Sequence, residues 1–172
     1  MSFDSAGDRI LEPLRKNKAT KNLFGIASTI GDFSIIWHVT GLLYAIGSMH
    51  RLHQAIALSC ALGAESIIVN QGVKRIFRRE RPTVSGDVRF DVRTPSTSSF
   101  PSGHASSATF AAIILVWMTG FPLAILWIIM AGVVALSRVV VRIHHLSDIV
   151  GGVITGTILG AIAVPIISSI IG

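Results

Sequence analysis

Apolar residues run along this chain in long uncharged blocks, and the charged residues gather between them. Five blocks stand out: about Phe33 to Met49, Leu52 to Val73, His104 to Thr119, Phe121 to Val141 and Ile149 to Ile171. A helix of about 20 residues reaches about 30 Å, the thickness of a bilayer core. The pattern therefore predicts an all-α integral membrane bundle of about five transmembrane helices. The third block is short, so it tilts little or draws on the neighbouring loops. Gly120, Phe121 and Pro122 predict a tight turn, which makes the third and fourth helices antiparallel neighbours. In the fifth block, Gly152, Gly156 and Gly160 recur every fourth residue and predict a smooth face for close helix packing. There is no internal repeat and no low-complexity segment, and the chain reads as a single domain over residues 1–172.

The ends and loops add detail. Residues 1–22 are basic and mixed in character. Phe3, Ile10, Leu11 and Leu14 fall on one face of a short helix lying on the membrane, although Pro13 opposes it. The segment lacks the apolar core and small-residue cleavage site of a secretory signal. Residues 74–101 form the least regular stretch, opening KRIFRRERP and closing TPSTSSFP. Its first half is expected to continue the second helix until Pro82 stops it. Asp32 marks the start of the first span.

Composition narrows the class. The chain is 51% hydrophobic and only 14% charged, with a mean hydropathy of +0.65. That excludes an ordinary soluble domain. The net charge of +6 comes with few aromatics among the basic residues, which favours anionic lipid or phosphate over nucleic acid as the partner. The predicted spans place 14 of the 15 Lys and Arg residues on one side and Arg51 alone on the other. Setting aside Lys74, Arg81 and Arg138 as anion binders still leaves 11 against 1. By the positive-inside rule that side is cytoplasmic. Cys60 is the single cysteine; it forms no internal disulfide and is expected to serve helix packing.

Three polar clusters fall on that same side, at the ends of the second and fourth spans and the starts of the third and fifth. The first is Lys74 with Arg81; on a continuing helix they lie two turns apart on one face and grip one anion. The second is FPSGHAS. Ser102 and Gly103 precede a helix, where free N–H groups and a bare glycine make an anion cradle beside His104. The third is SRVVVRIHHLSD, Ser137 to Asp148. Arg138 suits bidentate phosphate contact. His144 and His145 both lie within helical reach of Asp148, and spacing alone does not choose between them. Singly, each cluster has an ordinary explanation: a topology signal, a helix cap, a solvated loop. Together they bring three cations, an N–H cradle, two imidazoles and a carboxylate to one place. No carboxylate or cysteine cluster suggests a metal. The set suits metal-free phosphoryl transfer without a cofactor.

Lys74 followed after six residues by Arg81-Pro82, then Pro101-Ser102-Gly103-His104, then Ser137-Arg138 with five residues before His144 and three more before Asp148, resembles the three-part signature of the type 2 phosphatidic acid phosphatase superfamily. The resemblance implies that His144 is the nucleophile and leaves His145 without a role. It implies that His104 is the general acid, which also helps to activate water, and that Asp148 orients His144. Lys74, Arg81, Ser102, Gly103 and Arg138 match the phosphate-binding set, and the implied intermediate is a phosphohistidine. The soluble vanadium haloperoxidases of the same superfamily are disfavoured by the hydropathy. A non-catalytic lipid-binding protein is disfavoured by the completeness of the polar set.

The expected substrate is a lipid phosphate. TPSTSSFPSGHAS and the small size are similar to bacterial phosphatases acting on polyprenyl phosphosugars, of the decaprenylphosphoryl-phosphoribose type. A site facing the cytoplasm from a bacterial plasma membrane agrees with that. Undecaprenyl diphosphate, phosphatidylglycerophosphate and phosphatidic acid are the alternatives. Glu65 and His38 lie within spans, where ionisable groups are expensive, and are expected to pair with each other or with Asn70.

Overall fold

The computed structural model describes residues 2–83 and 87–171. Helices account for most of them, and there is no strand among the described residues. Helix α1 spans Phe3–Lys16, α2 Lys18–Ile30, α3 Ile35–Ala45 and α4 Met49–Ile76. After the long loop come α5 at Gly103–Thr119, α6 at Leu123–Val140 and α7 at Leu146–Ile171.

Local chemistry sets these boundaries. Ser2 caps α1 by accepting from the Ser5 N–H at 3.2 Å. Pro13 sits inside α1, but the helix ends three residues later, so little ladder is lost beyond it. The Asn17 side chain then caps α2, accepting from the N–H groups of Ala19 and Thr20 at 2.9 and 3.2 Å. Gly120, at φ +65°, ends α5 and opens the turn into α6.

The first predicted span is the one that differs. Phe33 to Met49 is not a single straight helix. Phe33 and Ser34 are left-handed, at φ 53° and 59°, and α2 and α3 meet at a 68° bend across them. Left-handed backbone costs about 1–2 kcal/mol per non-glycine residue, so the packing around the bend must hold it. Just before the bend the chain packs tightly: a Cβ on Gly31 would stand 2.7 Å from the His104 ring and 3.0 Å from Val134. The bent pair passes together as one broken span, while α4, α6 and α7 are each long and apolar enough to cross alone.

α5, at 17 residues, is shorter and lies at the centre. Its residues are buried nearly all round, from Ala105 through Ile114 and Leu115 to Met118. α4, α6 and α7 pack around it, and α3 packs on α4. The outward faces of α6 and α7 expose Ile128, Ile129, Ile154, Ile158 and Ile162, an apolar belt suited to lipid. Cys60 is exposed on that outer surface instead of serving packing.

The expected glycine face on α7 is used in full. A Cβ at Gly152 would lie 2.6 Å from the Ser102 carbonyl oxygen. One at Gly156 would overlap the Ser106 carbonyl, and one at Gly160 would meet Ile113 at 3.0 Å. α4 and α6 end, and α5 and α7 begin, at one face. At the opposite end Tyr44 donates to the Met118 carbonyl at 3.0 Å, and Arg51 reaches the Tyr44 carbonyl at 3.4 Å.

Gly156→Val should therefore lower stability by about 3 kcal/mol, the upper part of the overpacking range. Gly132→Ala, where a Cβ meets open space, should be neutral or raise stability by about 0.5–1 kcal/mol. Unfolding midpoints in detergent would check both.

Candidate active site

α4 turns into a π-helical segment at Ile68–Val73 just before Lys74, a widening often found at functional sites. Phe77 then goes extended, so the helix stops at Ile76, well short of Pro82. Lys74 and Arg81 accordingly do not share a helix face. Arg81 reaches the site because the second half of the loop folds back on the first. The Arg79 N–H donates to Ser98 Oγ at 3.0 Å, and Arg81 Nη2 donates to the Thr97 carbonyl at 2.9 Å.

The buried cations surround the start of α5. Lys74 is 7% exposed and Arg138, in the last turn of α6, is 0% exposed. A Cβ on Gly103 would stand 3.4 Å from Lys74 Nζ, so the bare glycine keeps that approach open. Ser102 is fully buried; its hydroxyl caps α5 at Ala105 N–H, 3.4 Å, and its own N–H donates to the Asp148 carbonyl at 3.0 Å. The first-turn N–H groups of Gly103 and His104 have no intrahelical carbonyl to meet. Arg81 Nε and Arg138 Nε and Nη2 are buried without a partner among the described residues. Buried orphan donors around a cavity suit an oxyanion.

His144 and His145 take different places. His144 is 2% exposed, with Nδ1 3.4 Å from Asp148 Oδ2 and 3.3 Å from Ser99 Oγ. Its Nε2 is 3.2 Å from Arg81 Nη1. Arginine only donates, so Nε2 is the accepting nitrogen and the ring proton belongs on Nδ1, facing Asp148. Burial, partly offset by the Asp148 hydrogen bond, pushes His144 down to about 3, which keeps the ring neutral near pH 7. His145 contributes its backbone, donating its N–H to Asp148 Oδ2 at 2.8 Å and accepting from the Asp148 N–H at 3.1 Å.

Asp148 is itself held on every side. Ser99 Oγ donates to Oδ2 at 2.5 Å and Arg79 Nη1 to Oδ1 at 2.6 Å. Arg79 also reaches Asp4 of α1 at 2.7 Å, and Asp4 accepts from the Ser147 N–H and hydroxyl at 2.9 Å each. α1 is thus tied to the site. Arg15, 2% exposed, donates to the carbonyls of Val139 and Val140, both at 2.9 Å. Leu11 and Leu14 of the expected lipid-facing stripe pack on the bundle, while Phe3 and Ile10 remain exposed.

On the other wall, His104 Nε2 lies 3.2 Å from both the Ser28 carbonyl and Asp32 Oδ1. Arg138 Nη1 donates to the Ser28 hydroxyl. Glu65 accepts from Ser106, His38 meets Ser59 at 3.0 Å, and Asn70 meets Ser66 at 3.0 Å. The expected pairing among Glu65, His38 and Asn70 is not formed, because each finds a nearer hydroxyl. Lys74, Gly103, His104 and His144 line a cavity of about 370 Å³, together with Asp32, Phe33, Glu65 and Asn70. Arg81, Arg138, Ser102 and Asp148 stand behind that wall. No cluster of three potential metal ligands lies among the described residues.

Arg79, Ser99, Ser28 and Asp32 are the contacts that sequence reasoning missed. Arg79 is hidden in a basic run, Ser99 in a serine-rich one, and no periodicity connects either to Asp148.

A helical membrane bundle with buried cations, two imidazoles and a carboxylate at one face is the architecture of a membrane phosphatase. The model of the PAP2 superfamily matches residues 53–170, and the chain belongs to that superfamily as a lipid phosphate hydrolase. It is 38% identical over 136 residues to the decaprenylphosphoryl-5-phosphoribose phosphatase of Mycobacterium tuberculosis, covering 78% of this chain and 73% of that one. With the Mycolicibacterium smegmatis protein of the same name it shares 41% identity over 127 residues, 73% of this chain and 67% of the relative. A transmembrane PAP2-type phosphatidylglycerolphosphate phosphatase from Bacillus subtilis has the same fold. The TM-score is 0.67 at 20% identity, over 96% of this chain and 86% of the other.

The docking of α1 should be sensitive to acid. Hydrogen bonds from Arg89 and then Arg15 hold Glu12 down from 4.5 to about 2. Arg89 lowers Asp87; Asp4 is also lowered, by Ser147 and Arg79 against the opposing effect of its burial. Carboxylates lowered by folding stabilise above their ordinary range and lose that contribution as pH falls through the folded value. Proteolysis or hydrogen exchange in α1 should therefore rise between about pH 4.5 and 2 and stay level near neutrality.

Proposed function

We propose that this protein removes the terminal phosphate from a polyprenyl-linked phosphosugar, the substrate class named by its mycobacterial relatives, through a phosphohistidine on His144. The observation that carries the chemistry is the orientation of His144. Its Nδ1 is anchored on Asp148 and Ser99, its Nε2 lone pair is turned toward Arg81, and the ring lines the cavity.

Nε2 attacks phosphorus as the bond from phosphorus to the sugar oxygen breaks. Lys74, Arg81, Arg138 and the Gly103 N–H stabilise the equatorial oxygens, whose charge is spread in the transition state. His104 gives a proton to the departing sugar oxygen. Asp148 holds the ring as it becomes positive, with Arg79 and Ser99 fixing the carboxylate in turn. Water then attacks the phosphohistidine with His104 accepting its proton, the P–N bond breaks, and inorganic phosphate leaves.

Two features favour a sugar next to the phosphate. The relatives at 38% and 41% identity carry that substrate in their names. Along α4 the cavity wall carries Glu65, Ser66, Asn70 and Gln71 with one apolar residue, Ile67, a mainly polar set that suits hydroxyls better than acyl chains. The excess of Lys and Arg at the site end of the bundle supports a cytoplasm-facing site in a bacterial plasma membrane. A competing reading is an undecaprenyl diphosphatase: a putative one from Escherichia coli is 29% identical over 131 residues, 76% of this chain and 64% of the relative.

Purified protein should release phosphate in EDTA from a polyprenyl phosphoribose faster than from undecaprenyl diphosphate, phosphatidylglycerophosphate or phosphatidic acid. His144→Ala should lose at least about 10³-fold in turnover. Faster release from undecaprenyl diphosphate would replace the sugar reading, and equal release by His144→Ala would remove the nucleophile.

A further inference from the structure

We infer that Asp32 is the positioning residue of His104, fixing which of its ring nitrogens faces the substrate. The inference rests on His104 being the general acid of the proposed reaction. Asp32 lies outside the segment matched by the superfamily, residues 53–170, and outside the three-part signature.

Asp32 Oδ1 lies 3.2 Å from His104 Nε2, and each side chain is 13% exposed. The Ser28 carbonyl meets the same nitrogen at 3.2 Å. Both partners are acceptors, so Nε2 carries a proton. Nδ1 has no hydrogen bond among the described residues, and His104 lines the cavity. With Nε2 keeping its proton, the acid form of His104 is the imidazolium; its second proton, on Nδ1, goes to the leaving oxygen and leaves a neutral ring, and Asp32 stabilises the charged form.

The backbone is arranged around this contact. Asp32 sits between Gly31, whose missing Cβ lets the chain close on the His104 ring, and the left-handed pair Phe33 and Ser34. An unbroken helix through this point would have no left-handed residues. Such conformations gather where a site requires them. Arg93 lines the same cavity as Asp32, and Arg138 donates to the hydroxyl of Ser28, whose carbonyl meets His104, so the carboxylate and the acid histidine adjoin the cation set. In a merely architectural role, Asp32 would anchor the bend, and its loss would affect every substrate alike.

The leaving group separates these roles. A general acid matters for an alkyl phosphate, whose alkoxide leaves poorly, and little for p-nitrophenyl phosphate, whose phenolate leaves unaided. The comparison uses kcat/KM, which reports events up to the first irreversible step. Asp32→Asn, which keeps the side-chain shape, should lower kcat/KM for the preferred lipid phosphate by about 10–100-fold. It should change p-nitrophenyl phosphate by less than about 3-fold, with an unchanged unfolding midpoint. In a His104→Ala background, Asp32→Asn should cost nothing more on the lipid substrate. Equal losses on both substrates, or losses that multiply with those of His104→Ala, would overturn the inference. If p-nitrophenyl phosphate is not turned over, the double variant decides by itself. If His104→Ala leaves lipid hydrolysis intact, the acid assignment falls and the role of Asp32 with it. An effect of His104→Ala without one of Asp32→Asn would overturn only the inference.

Discussion

The backbone contact between α5 and α7 is the constraint on which the site depends. At Gly152 and Gly156 the two helices approach so closely that a single methyl group would strike a carbonyl oxygen of the other. The same approach lets the Ser102 N–H reach the Asp148 carbonyl at 3.0 Å. One helix carries the serine-glycine-histidine turn at its start, and the other carries Asp148 in its first turn. Their contact sets the distance between the anion cradle and the carboxylate behind His144. Small residues serve this purpose in membranes because burial of apolar surface supplies little force between helices in lipid, leaving close packing to hold them.

Around that contact the protein buries charge. Lys74, Arg138, Asp148 and Glu65 are each under about one-tenth exposed, a costly arrangement unless the groups are paired or bonded. Asp148 is fully satisfied, by Arg79, Ser99, His144 and the His145 N–H. The arginines are not: three guanidinium nitrogens of Arg81 and Arg138 lack partners among the described residues. The carboxylate side is thus complete within the protein, and in the proposed reaction the substrate phosphate completes the cation side. Preorganisation of this kind lets electrostatic stabilisation act without rearrangement during the reaction. The N-terminal helix extends the frame, because Asp4 and Arg15 bind the groups that position Asp148 and the end of α6.

Much of this was legible in the chain. Uncharged blocks of bilayer length had no soluble alternative, so the spans at α4, α6 and α7 and the central α5 could be read directly. The glycines at every fourth position announced a packing face. Helical spacing left His144 and His145 both within reach of Asp148; the resemblance to the superfamily signature singled out His144, and its Nδ1 lies 3.4 Å from the Asp148 carboxylate. Where the reading failed, the cause was non-local. Hydropathy cannot see that Phe33 and Ser34 turn left-handed, nor that Gly31 beside them packs on His104 and Val134, both distant in sequence. Cys60 and the pair Glu65 and His38 were misplaced because the direction a helix face points depends on its neighbours.

By itself the sequence determined the membrane class, the order of the helices and the identity of the residues in the three clusters. These follow from period, length and short spacing, which act within one or two helical turns. Only the tertiary structure decided what stands behind those residues: Arg79 and Ser99 on Asp148, Asp32 and Ser28 on His104, and α1 on the end of α6. Such contacts join segments from 49 to 124 positions apart, and loop and helix-bend geometry leaves no periodic trace. Their physical basis is the need of buried polar groups for partners, which can be met from anywhere in the chain that folding brings near.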